Sequence, residues 1–152
     1  MTFNRKNLIS LASAGSAGLL GGAFVFQFLG YAPCEMCLWQ RWPHAAAILI
    51  GVLALMTVPA RFWAWLGALA AATTGALGVY HTGVERDWWE GPTSCTGSGG
   101  LDAGSLLATD GPALVLCDQV AWDLLGVSMA SWNAIASFGL MAIWILAARA
   151  KS

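Results

Sequence analysis

Cys34 and Cys37 stand in the run Cys34-Glu35-Met36-Cys37, and Arg41 follows Cys37 by four residues. Two cysteines at this spacing can make and break a disulfide. A place at the start of a helix favours thiolate over thiol, because unpaired backbone N–H groups and the helix dipole face the sulfur. Pro33 pre-sets a turn before the pair and disfavours helix at Ala32, so the helix is expected to begin near these cysteines. Arg41 then lies one turn behind Cys37 on the same face, and its side chain leans back toward the sulfur. The chain holds four cysteines in all, and the other two, Cys95 and Cys117, sit in the one long polar segment. Two pairs, one at an apolar edge and one in a loop, suit a relay of thiol–disulfide exchange better than a static staple.

Such a relay needs an outlet for two electrons. The sequence has no glycine-rich nucleotide loop and no Cys-x-x-Cys-His haem attachment motif. A lipid-soluble quinone, ubiquinone or menaquinone, is the natural acceptor beside an apolar segment, with Arg41 or His81 hydrogen-bonding a carbonyl oxygen. An arginine at a membrane edge also reads as a snorkelling anchor, and only its place behind Cys37 shifts the balance toward function. His81 falls at the outer end of the third apolar segment, level with Cys37. It reads either as a quinone or proton contact or as an ordinary interfacial residue. His44 is a weaker candidate still.

These residues need a scaffold, and composition says what kind. The chain is 152 residues long, 58% hydrophobic and 10% charged, with a mean hydropathy of +0.66. That excludes an ordinary soluble domain and indicates a multi-pass membrane protein. Four segments lack Asp, Glu, Lys and Arg: 7–31, 42–60, 62–84 and 124–148. Each can supply the roughly 20 apolar residues that cross a bilayer. The fold expected is an all-α four-transmembrane-helix bundle in a single domain, with helices near 8–30, 38–59, 62–82 and 126–148. The loops are then 31–37 and 83–125. The first segment reads as a retained helix rather than a cleaved leader, being long for a signal core and followed at once by Cys34.

The charges orient this bundle. Arg5, Lys6, Arg61, Arg149 and Lys151 fall in the tails and the second connection, whereas all 8 acidic residues lie in the first and third connections. The basic excess places both termini in the cytoplasm and all four cysteines outside, which in a bacterium is the oxidising periplasm. In the long loop, residues 91–100 are turn formers, which leaves Cys95 exposed. Residues 112–125 regain apolar character around Cys117 and are expected to form a short interfacial helix. Gly18 and Gly22 form a Gly-x-x-x-Gly in the first helix, and Gly67, Ala71 and Gly75 repeat small residues in the third. Both stripes suit close helix contact, and both equally fit the general richness of membrane helices in small residues.

The chain resembles the disulfide bond formation protein B (DsbB) family over nearly its whole length. Four apolar helices, Cys34-x-x-Cys37 with Arg41, two cysteines between helices three and four, and the run Leu125-Gly126-Val127-Ser128-Met129-Ala130-Ser131-Trp132-Asn133 carry the likeness. Ala130 replaces a proline often found there, and the loop spacing differs from the family's. The resemblance implies an inner-membrane protein that re-oxidises a periplasmic thioredoxin-fold (DsbA-like) oxidase at the expense of a quinone. By position, Cys37 resembles the quinone-side cysteine and Cys34 its exchange partner. Cys95 resembles the cysteine attacked by the oxidase, and Cys117 the one that relays to the membrane pair. Arg41 matches the quinone-side arginine, and His81 matches by its place before the loop. No metal is implied.

Three other readings fit parts of the sequence. The four cysteines would suffice for a closed zinc site, although Cys95 and Cys117 lack ligand-pair spacing. A membrane scaffold with structural disulfides would need no arginine behind its pair. A vitamin-K-epoxide-reductase-like enzyme shares the four-helix plan but carries Cys-x-x-Cys near the end of the chain.

Overall fold

A computed structural model of the chain describes residues 4–94 and 116–150. The described residues form helices α1 (Arg5–Phe28), α2 (Glu35–Met56) and α3 (Ala60–Glu85). A hairpin of β1 (Asp123–Leu124) and β2 (Val127–Ser128) then leads into α4 (Met129–Arg149). α3 packs most closely on α4 and α2, and α1 packs on α2 and α4, which closes a four-helix bundle. α1, α3 and α4 are each long and apolar enough to cross a membrane. Bulky apolar side chains stand exposed along the outside, among them Leu11, Leu49, Leu69 and Ile135. A belt of that kind suits lipid and would be a liability in water.

Local chemistry sets the helix ends. The Asn4 carboxamide oxygen accepts from the Asn7 N–H and starts α1. Cys34 caps α2, its sulfur accepting from the Cys37 N–H. That cap starts the helix at Glu35 rather than near 38, so the cysteine pair lies in the first turn itself. α3 runs to Glu85, beyond the expected 82, which stacks His81 and Glu85 one turn apart. α4 starts later than expected, at Met129, with the Ser128 hydroxyl accepting from the Ser131 N–H.

The interfacial helix expected over 112–125 is not what its described part forms. Residues 116–122 make turns and bends, and 123–124 pair antiparallel with 127–128. Leu125 and Gly126 join the two strands at φ 57° and 73°. Two consecutive left-handed residues make the type I′ turn that matches strand twist. The apolar residues there follow no helical period, so local turn chemistry decides. Residues 112–115 lie outside the described residues.

The core of the bundle is built from small residues around one large one. Trp144 is fully buried, and a Cβ added at Gly67 would stand only 2.5 Å from its ring. Gly75 faces Phe138, and Gly78 abuts the backbone of Ala130 and Ala134. The small stripe of α3 is therefore the seam against α4. Gly18 and Gly22 of α1 behave differently: a Cβ at either would meet nothing within 4 Å. Their smallness leaves room for a cavity instead of a helix contact.

The bundle has two chemically distinct ends. At one, the Arg5 guanidinium donates to the carbonyls of Ala147, at 3.2 Å, and Ala150. These carbonyls end α4, where a cation offsets the dipole. At the other end lie Cys34, Cys37, His81, Glu85 and Cys117.

Candidate functional site

The two thiols of the first pair are free, and their sulfurs lie 2.7 Å apart. A disulfide would need them at about 2.05 Å, so closing the bond takes only a small side-chain movement. Cys34 is buried and Cys37 is partly open. The hydrogen bond to the Cys37 sulfur, and then burial, push the Cys34 thiol well above the usual range. The proton is thus held on the buried member of the pair.

Cys117 is fully buried and shares an apolar cluster with Cys34, Met36 and Val84. It is disulfide-bonded. Cys95 lies outside the described residues. Of the four cysteines singled out in the sequence, the structure brings Cys34, Cys37 and Cys117 to one place.

His81 joins them. Its Nε2 lies 3.6 Å from the Cys34 sulfur and 3.9 Å from a Glu85 carboxylate oxygen. The ring also hydrogen-bonds the backbone of Cys117. One ring nitrogen thus faces Cys34 and its neighbours. The Nδ1 side is taken by Gln40, whose carboxamide nitrogen lies 3.0 Å away and also donates to the Met36 carbonyl at 3.2 Å. Cys34, Cys37 and His81 place three donor atoms within 4.8 Å of one another. That set differs from the four-cysteine metal site considered from sequence, since the Cys117 sulfur is committed to a disulfide.

Behind Gln40 the polar chain continues into the bundle. The Asn133 carboxamide nitrogen donates to the Gln40 side-chain oxygen at 2.7 Å and to the Thr74 hydroxyl at 3.2 Å. Thr74 donates in turn to the Gln40 carbonyl at 3.1 Å. His44 Nε2 lies 2.9 Å from the Asn133 carboxamide oxygen. Buried polar groups between membrane helices are costly unless mutually satisfied, and they concentrate at functional sites.

Arg41 does not reach the cysteines directly. Its guanidinium donates to the Gln27 side-chain oxygen at 2.7 Å and the Ala23 carbonyl at 3.4 Å. It also stacks on the Phe24 ring at 4.8 Å. All three partners lie on α1. The Arg41 Nε is buried with no hydrogen-bond partner among the described residues.

A cavity of about 300 Å³ opens beside Cys37 and is lined by Arg41, His44, His81, Phe26 and Trp132. Phe26 meets Tyr31 and Trp122 edge to face, at 5.7 and 5.0 Å, making one aromatic wall. The volume is at the small end of the ~300–1,000 Å³ typical of ligand pockets. Apolar walls with Arg41, His44 and His81 among them suit a flat, apolar molecule that carries hydrogen-bonding groups. The residues present therefore fit a quinone ring.

Sequence reasoning missed Gln40, Asn133, Thr74 and Glu85. For Gln40 a signal existed: Cys37, Gln40, Arg41 and His44 recur at i, i+3, i+4 and i+7, one face of a helix. Asn133 and Thr74 offered none, because only packing brings their helices against that face.

Comparison with known proteins agrees with this geometry. The sequence model of the family described as "Disulfide bond formation protein DsbB" matches residues 5–147. A protein from Azoarcus sp. (strain BH72) named "Disulfide bond formation protein B" is 29% identical over 161 residues, spanning 96% of this chain and 95% of that protein. One of the same name from Xanthomonas oryzae pv. oryzae (strain MAFF 311018) is 29% identical, spanning 90% of this chain and 85% of its own. "Disulfide bond formation protein B 2" of Pseudomonas aeruginosa is 28% identical across 75% of this chain and 76% of that protein. No solved structure is a significant match.

Proposed function

The chain belongs to the DsbB family of disulfide bond formation proteins, and from that premise we propose that it is a thiol:quinone oxidoreductase of the bacterial inner membrane. It re-oxidises a periplasmic thioredoxin-fold oxidase of the DsbA kind, in the service of protein disulfide formation. α2 is the fourth membrane crossing, both termini are cytoplasmic, and Cys34, Cys37, Cys95 and Cys117 face the periplasm. The whole chain acts as one membrane domain.

The observation that carries this reading is the burial of Cys117 in one cluster with Cys34, beside His81. Two pairs that only staple the fold would have no reason to share a contact. In the relay, the reduced partner's thiolate attacks the Cys95 sulfur of a Cys95–Cys117 disulfide. A partner–Cys95 bond forms and Cys117 leaves as thiolate. With Cys34 and Cys37 joined as a disulfide in the oxidised chain, Cys117 then attacks the Cys34 sulfur: the Cys117–Cys34 bond forms, the Cys34–Cys37 bond breaks, and Cys37 leaves as thiolate at the cavity wall. The shared cluster keeps Cys117 and Cys34 in one buried neighbourhood for this exchange.

A quinone bound in the cavity supplies the acceptor for two electrons and two protons. Cys37, Arg41 and the aromatic wall would hold it, with the Arg41 guanidinium charge beside the developing negative charge. A donor fixed where negative charge develops lowers the barrier without reorganising. His81 acts at Cys34.

The test is direct. Purified chain, given a reduced thioredoxin-fold oxidase and a short-chain ubiquinone or menaquinone, should produce quinol stoichiometrically with oxidised partner. No quinol from either quinone, with partner re-oxidised only by air, sinks the proposal. Labelling by a membrane-impermeant thiol reagent on intact reduced cells checks the orientation.

A further inference from the structure

The geometry points to Gln40, braced by Asn133, as a positioning residue that locks His81 in its Nε2–H tautomer, so that one N–H serves both Cys34 and Cys117. This rests on the relay for its functional consequence and on the hydrogen-bond pattern alone for the tautomer.

The pattern leaves little freedom. A primary amide has one acceptor oxygen and two N–H donors. The Gln40 oxygen takes the Asn133 N–H at 2.7 Å, so the Gln40 nitrogen is the atom at Met36 and at His81 Nδ1. The Asn133 side chain is set in the same way. Its nitrogen serves Gln40 and Thr74, and its oxygen faces His44 Nε2 and the Ser137 hydroxyl. Reversing Gln40 would put two N–H donors against each other at Asn133 and leave a carbonyl against the Met36 carbonyl.

With an amide donor on Nδ1, the neutral ring carries its proton on Nε2. The surroundings of Nε2 agree. The Cys34 sulfur, the Glu85 carboxylate and the backbone of Cys117 all face the ring. The Glu85 carboxylate and the Cys117 backbone are acceptors that an Nε2–H can serve and a bare Nε2 cannot. Which hydrogen bond one histidine nitrogen makes decides what the other can do. Here His81 is a fixed donor toward sulfur.

In the exchange between pairs, the Cys117–Cys34 bond forms as the Cys34–Cys37 bond breaks, and Cys37 leaves as thiolate. No proton moves in that step. A donor on the Cys34 sulfur draws charge from it and favours attack there, and the same N–H group ties the Cys117 backbone beside it. Gln40 touches neither sulfur and acts only through His81.

The chain has just two histidines, so histidine-selective ¹⁵N labelling of the full chain in lipid nanodiscs gives two rings to assign. The parent should show His81 protonated at Nε2 and bare at Nδ1. Gln40→Leu removes the amide, and the His81 tautomers should mix. Gln40→Glu is nearly isosteric, keeps the acceptor for Asn133 and, when ionised, presents an acceptor to Nδ1, so the His81 proton should move there.

In rapid-quench mixing of oxidised chain with reduced partner, Gln40→Leu should slow the appearance of free Cys37 thiol roughly 10-fold, the loss of one hydrogen bond. Attack on Cys95 should stay at the parent rate. A parent His81 protonated at Nδ1 overturns the inference. So does a parent-like His81 spectrum in both variants, or slowed exchange with unchanged tautomer, which marks Gln40 as merely structural. A parent chain that reduces no quinone would instead sink the proposed function, and the spectra would still decide this point.

Discussion

His81 Nε2 lies 3.6 Å from the Cys34 sulfur, reaching from α3 to the cap of α2. The contact divides the labour within the pair. Cys34 is the buried member, grouped with His81 and Cys117, whereas Cys37 is more open and lines the cavity. Of the two roles His81 offered as a sequence position, proton or quinone contact, its neighbours favour service to the thiols.

Arg41→Ala should slow quinone reduction, as a higher KM for quinone, a lower kcat or both, while partner attack on Cys95 stays intact. Arg41→Lys should restore only part, because an ammonium has no planar fork to hold Gln27 and Ala23 while offering Nε–H. Steady-state kinetics with separate titrations of partner and quinone measure this. Unchanged quinone kinetics would reduce Arg41 to an anchor.

The raised Cys34 thiol gives a pH signature. An exposed thiol ionises near pH ~8.5, but Cys34 should stay protonated and resist iodoacetamide well beyond that. The sign for stability follows. An unfolded Cys34 sheds its proton in that range and the folded one does not, so this contribution is complete below about pH 8.5 and fades as pH rises. Alkylation of the reduced chain against pH, with peptide mapping, tests it. Cys34 alkylated with an ordinary thiol profile would contradict the buried, hydrogen-bonded environment.

Cys117→Ala should trap a mixed disulfide between Cys95 and the partner, because the resolving thiol is gone. Non-reducing electrophoresis followed by mass spectrometry identifies the linked residue. A trap through Cys34 would reverse the roles assigned to the two pairs.

Gly67→Leu should destabilise the bundle by about 1–3 kcal/mol or more, the usual cost of overpacking, since its Cβ would clash with the Trp144 ring at 2.5 Å. Gly18→Ala meets open space and should leave thermal stability within about 0.5 kcal/mol of the parent. Thermal unfolding in detergent compares them. Equal shifts would mean the α3 seam is not the tight one.

The membrane class, the Cys34-x-x-Cys37 motif and the spacing of Arg41 from Cys37 were legible before any packing was known. Those features are local or compositional: an apolar run, a helix-start motif and a one-turn repeat are each complete within one stretch of chain. The sequence also showed two small-residue stripes without telling them apart. Only packing made Gly67 and Gly75 a seam and left Gly18 and Gly22 beside a cavity, because that depends on which helix each stripe meets. The turn at Leu125-Gly126 prevailed over the apolar character of its surroundings, which had suggested a helix. Gln40, Asn133 and His81 come from three helices, and their hydrogen bonds exist only once α2, α3 and α4 close on one another. The chemistry at Cys34 therefore has its sulfur in the motif and its orientation in the bundle.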